Sequence, residues 1–203
     1  MELFVIAHPK ILKGETLLVN QLFDAGLPVF HLRKPTADEA AHRKFIDGIL
    51  PEYHNRVALH HFHELANDYN INRLHHTESF RKNSTVGDFS KPYTFSTSIH
   101  QLAEVDHLDQ YHYSFFGPVF NSLSKPGYTG IVDAGFSINK PKTTRLIALG
   151  GIGLNNIDQV KEMNFDGVAL LGSIWNDPSQ ALTTFKTAQA KCQAYAQNLT
   201  IKQ

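Results

Sequence analysis

Eight short apolar runs, each followed by a longer segment, limit what this chain can become. They fall at Glu2–Ala7, Pro28–Leu32, Arg56–His60, Ile71–His75, Tyr93–Ser96, His112–Phe116, Leu146–Leu149 and Gly167–Leu171. They read as extended and largely apolar, as expected of parallel strands buried on both faces. Segments of helical period lie between them, so the pattern is one of repeated strand–helix units. Eight units suggest closure, and the expected architecture is a single-domain (β/α)8 TIM barrel spanning residues 1–203, with some barrel helices shortened.

The helical segments vary in clarity. Leu18, Leu22 and Ala25 recur at helical spacing, with Gly26 placed to stop the helix. Thr36 and Glu39 have capping-box spacing ahead of Ala41, Phe45 and Ile49. Asn155 is the expected N-cap for a stripe of Ile157 and Val160, and Pro178 opens a last helix carrying Leu182, Phe185, Cys192 and Leu199. The stretches Thr77–Pro92 and Pro126–Thr144 are rich in Gly, Pro and polar residues, weak as helices and loop-like, and are expected to be either shortened barrel helices or covers over the site.

Charge and composition narrow the function classes. The 19 basic and 19 acidic residues balance, leaving no general basic field to draw in nucleic acid or an anionic membrane surface. No apolar stretch approaches the roughly 20 residues that cross a bilayer, and the first ten residues lack signal-peptide features. The single Cys192 has no intrachain partner, and a cytoplasmic setting is expected. The sequence leaves a homo-oligomer open.

Three groups of residues can carry chemistry. Gly150–Gly151 and Gly172–Ser173 follow the seventh and eighth runs, where barrels commonly build a phosphate site from backbone N–H groups. The plainer alternative is that these glycines only permit tight turns. The segment GPVFNSLSKPGYTG offers Ser122, Ser124 and Lys125 to an anion, and Arg33 ends the second run, while Lys34 is expected to face solvent. Six of the twelve histidines, His31, His60, His61, His75, His76 and His100, gather at predicted strand ends. Strand alternation lets only some of them converge, as acid, base, core hydrogen-bonding group or transition-metal ligand.

These motifs, in order along nearly the whole chain, resemble the thiamine phosphate synthase and thiazole tautomerase family. HLRKP is similar to that family's QLREK, LHHFHELA to INDRVDLA, STSIH to VSTH, GPVFNSLSK to GPVFPTPTK, IALGGI to AIGGI and GVALLGSI to GVAVVSAI. The resemblance implies a transferase that joins a pyrimidine diphosphate to a thiazole phosphate and releases pyrophosphate. It implies that Arg33, Ser122, Ser124 and Lys125 hold the diphosphate. It also places Ser98 near the pyrimidine and assigns Gly151, Gly172 and Ser173 to the thiazole phosphate.

The family's pattern also implies Mg2+, yet His60–His61 stand where it has an Asn-Asp pair and Phe80 where it has an acidic ligand. Its lysine after the second strand is replaced by Pro35, and the tautomerase histidine by Pro118. Three expectations follow: a synthase-like enzyme, a non-catalytic barrel binding thiazole phosphate or thiamine phosphate, and a thiazole tautomerase using another histidine such as His100. All three act on phosphorylated small heterocycles.

Overall fold

The computed structural model describes residues 1–83, 92–121, 130, 132, 135–139 and 143–200, excepting the side chains of 195–200. Its elements follow the order β1 (Glu2–Ile6), α1 (Glu15–Asp24), β2 (Val29–Leu32), α2 (Glu39–Asp47), β3 (Val57–Leu59), α3 (Leu65–Asp68), β4 (Arg73–His76) and α4 (Glu78–Asn83). There follow β5 (Thr94–Ile99), β6 (Tyr113–Phe116), β7 (Arg145–Leu149), α5 (Ile157–Glu162), β8 (Gly167–Leu170), α6 (Gly172–Trp175) and α7 (Ala181–Thr200). The eight strands pair in parallel, each with its sequence neighbour, and β8 returns to β1 to close the barrel. Each predicted run contains or overlaps one strand, and β5 runs on to Ile99.

Strand period sorts the side chains into two cores. Phe4, Ile6, Val29, Ala58, Tyr113, Phe115, Ile147 and Ala169 fill the barrel interior. Their neighbours, among them Leu3, Val5, Phe30, Leu32, Leu59, Leu74, Phe116 and Leu146, form the shell under the helices. Helix α7 packs against α1, α5, α6 and β1, burying Phe185, Ala188 and Cys192. The indole N–H of Trp175 donates to the Ile6 carbonyl at 2.6 Å, tying the last unit to the first.

Several local expectations are corrected. Asp38, not Thr36, caps α2: its carboxylate accepts from the Ala41 N–H, while Glu39 pairs with Arg43 one turn on. Asn156, not Asn155, precedes α5, and its side chain bridges Gly153 N–H and Gly151 O. Pro178 opens a 3-10 turn leading into α7 rather than the helix itself. In Thr77–Pro92 the shortened-helix alternative holds, as the six-residue α4; among the described residues of Pro126–Thr144 there is neither helix nor strand.

Lys34 departs furthest from expectation. It lies in the wall rather than in solvent, 1% exposed, with its ammonium 2.6 Å from the equally buried Glu15 carboxylate and donating to the carbonyls of His8 and Lys10. Burial pulls the lysine pKa down, and hydrogen bonding and charge attraction from Glu15 oppose it. Removing one member of such a pair strands the other as an uncompensated buried charge, which costs about 3–5 kcal/mol. Lys34→Met is therefore expected to lose about that much stability in urea denaturation. Adding Glu15→Leu should restore most of the loss, and a double variant no more stable than the single one would refute the pairing.

Candidate functional site

The C-terminal ends of the strands surround an open cavity of about 400 Å³. Inward positions at the strand ends supply its walls, Ile6, His60, Thr77, Ser98, Leu149 and Leu171 among them, with Arg33, His100, Pro118 and Glu78 at the rim. Both glycine corners open onto this space through Gly150, Gly151 and Gly172. Gly150 and Gly151 have φ of 97° and 66°, a conformation that side-chain-bearing residues rarely adopt. A Cβ on Gly151 would sit 2.3 Å from the Asn121 carbonyl oxygen. These glycines thus serve a tight turn as well as bordering the mouth.

Other predicted residues separate cleanly. Arg33 and Ser98 line the cavity. Ser173 follows Gly172 in the first turn of α6, where N–H groups lack intrahelical acceptors, and its Oγ is buried with no hydrogen-bond partner. Ser122, Ser124 and Lys125 lie outside the described residues. Parity divides the histidines: His31, His60, His75 and His100 follow the inward set, whereas His61 faces His42 outside the barrel. His76 packs among Phe80, Phe95 and Tyr111 in the outer shell.

The floor of the cavity is a hydrogen-bonded imidazole cluster. His31 Nδ1 lies 2.9 Å from His60 Nε2, and His31 Nε2 lies 2.8 Å from the Tyr113 hydroxyl. His75 sits between the hydroxyls of Ser96 and Ser98 at 2.9 and 3.1 Å. Leu59 pairs with Leu74, which sets the next residues, His60 and His75, level, and their rings stack at 3.9 Å. Burial drives all three below the ordinary imidazole pKa, His31 to about 3, and mutual repulsion adds to the effect at His60 and His75. Burial also pushes the Tyr113 phenol up to about 12. The floor is therefore neutral at pH 7.

At the rim, His100 Nδ1 donates to the Gly117 carbonyl, which turns Nε2 toward Glu78 Oε2 at 3.4 Å. Glu78 also pairs with Lys82. Sequence inspection missed Glu78; its only signal was its place one residue after Thr77 at the end of a strand. It is the one carboxylate among the described residues lining the cavity. The Mg2+ implied by the sequence resemblance does not fit the donors here. His60 is an imidazole in the floor, His61 points away from the cavity, and Phe80 offers a ring packed on His76, while Mg2+ takes hard oxygen ligands.

A family model described as thiamine monophosphate synthase matches residues 3–174. The chain belongs to this family. A thiamine phosphate pyrophosphorylase from Bacteroides thetaiotaomicron is similar in structure, with TM-score 0.72 and 22% identity over 93% of this chain and 96% of that one. A thiamine phosphate pyrophosphorylase from Pyrococcus furiosus gives 0.71 and 14% over 95% and 96%. A 3-hexulose-6-phosphate synthase from Salmonella typhimurium shares the fold at 0.61 and 13% over 95% and 99%. No curated protein matches the sequence significantly.

The neutral floor has a measurable consequence. A histidine whose folded pKa lies below its unfolded value of about 6.5 binds its proton more readily once unfolded. Stability is then intact above pH 6.5 and falls as pH drops toward the folded values, about 3 for His31. At pH 4.5 His31 alone removes about 2–3 kcal/mol. Urea titrations of chelator-treated protein between pH 7 and 4.5 should show a steep decline with uptake of more than one proton on unfolding; a flat profile would mean these rings are protonated in the fold.

Proposed function

We propose that this protein is a thiamine phosphate synthase-like transferase that joins hydroxymethylpyrimidine diphosphate to thiazole phosphate. The observation that carries this is the convergence of Arg33, Ser98 and both glycine corners on one cavity of about 400 Å³, a volume within the usual range for small-ligand sites. Gly151 and Gly172 border the cavity and the buried Ser173 hydroxyl beside Gly172 has no hydrogen-bond partner, which supports their proposed role as donors to the thiazole phosphate. Arg33 faces the same space, where its guanidinium would hold a diphosphate by paired hydrogen bonds.

In the reaction, the bond from the pyrimidine-bearing carbon to diphosphate oxygen breaks and a bond from that carbon to the thiazole forms. The departing charge passes to pyrophosphate. The protein's part is to align the two heterocycles and meet the growing charge with fixed donors. Arg33 performs the second task from the described rim, and Ser122, Ser124 and Lys125 are proposed to join it. No step is assigned to Mg2+.

A second reading, a thiazole tautomerase, is favoured by one observation: His100 is oriented by Gly117 and faces Glu78 beside Pro118, in the arrangement of an acid–base pair. The two readings make different products. Purified protein supplied with both substrates should yield thiamine phosphate and pyrophosphate in equal amounts, and Arg33→Ala should lower kcat/KM by about 10²-fold. Gly151→Ala, whose Cβ would meet the Asn121 carbonyl and shift the turn that aims its N–H, should weaken calorimetric binding of thiazole phosphate by about tenfold, or about 1.4 kcal/mol. Binding without product would replace the transferase with a binding barrel. Solvent-hydrogen exchange into the thiazole, lost in His100→Gln, would replace it with the tautomerase. Absence of any binding would reject all three.

A further inference from the structure

The floor of the cavity holds three imidazoles to which the proposed transfer gives no role. We propose that His31, His60 and His75 form a binding site for a transition-metal dication, Zn2+ by the character of its donors, with an open position facing the mouth. Nothing in this assignment depends on which substrate fills the cavity.

Three observations support it. One ring nitrogen from each histidine lies within 4.8 Å of the others, on three adjacent strands of a rigid barrel. Three nitrogens at tetrahedral positions about 2.0–2.1 Å from Zn2+ stand about 3.3 Å apart, so modest ring rotation completes the set. The closest pair, His31 Nδ1 and His60 Nε2, already lies at 2.9 Å.

The second observation concerns the nitrogens that would not bind. His31 is held at its far nitrogen by the Tyr113 hydroxyl, and His75 has a hydroxyl at each nitrogen, of which one would remain as the outer-shell contact while the other gives way to the ion. The third is His60 Nδ1, which is buried and has no hydrogen-bond partner. A buried polar nitrogen left unpaired calls for an explanation, and a turn of the His60 ring that offers Nδ1 rather than Nε2 to the ion supplies one.

The chemistry of the donors selects the ion. Imidazole suits Zn2+ and its first-row neighbours, whereas Mg2+ demands oxygen. Three neutral ligands leave both charges of the ion uncompensated, which draws an anionic ligand into the remaining position. His60 and His75 line the cavity, so that ligand enters from the mouth, where Glu78 also lies.

The test uses the full chain, stripped with chelator and dialysed. Wild type should bind one equivalent of Zn2+ at micromolar concentration, bind Co2+ with the visible absorption of tetrahedral coordination, and ignore Mg2+ at equal concentration. His31→Asn, His60→Asn and His75→Asn, checked for folding by circular dichroism, should each weaken Zn2+ by more than about 100-fold, beyond the loss typical of an outer-shell contact. His107→Asn, at an exposed position, should bind as wild type does. If a floor variant does not fold, ring-nitrogen magnetic resonance of wild type decides: Zn2+ should shift the signals of His31, His60 and His75. Zinc that shifts only exposed histidines, binding that survives in folded floor variants, or less than 0.2 equivalents bound would overturn the site.

Discussion

Closure of eight parallel strands gives every strand residue only two destinations, the barrel interior or the shell beneath the helices. The rest of the molecule depends on this division. Because direction alternates with each residue, an inward side chain in the packed interior predicts another two residues later, one step nearer the mouth. Val29, His31 and Arg33 trace such a line from interior to floor to rim, as do Ser96, Ser98 and His100. Chemistry is thus stacked in depth on a frame that apolar burial holds together.

Depth also sorts the charge. Residues low in the mouth are polar but uncharged, because burial holds His31, His60 and His75 in their neutral forms. Ionised groups occur higher, where Arg33 and Glu78 meet the cavity. An anionic ligand would therefore meet fixed charge at the rim and hydrogen-bonding or metal-ligating groups beneath it. The carboxylate pair expected of this family has no counterpart in that gradient.

Much of the fold was legible because apolar runs report strand burial directly, and the eight runs at their spacing leave few alternatives. Boundaries were less legible. Thr36 and Asp38 both suit an N-cap, as do Asn155 and Asn156, and only the three-dimensional path of the chain selects the second of each. At the site, glycines and Arg33 could be placed from the ends of runs. The histidines could not be divided without knowing strand register, which sends His60 inward and His61 toward His42. Glu78 had only its place after a strand end to mark it, because its role comes from proximity to His100, on a different strand's end, rather than from spacing.

The burial of Lys34 bears on how such a site can change over time. Its ammonium carries three protons, and its contacts with Glu15 and the carbonyls of His8 and Lys10 occupy them all. Although it follows Arg33 directly in the chain, it therefore has nothing to offer a guest in the mouth. One inserted residue between Leu32 and Arg33 would exchange the two, sending the guanidinium into the wall and the ammonium to the rim. A lysine moved by a single step along such a strand end is, in this architecture, a different functional group.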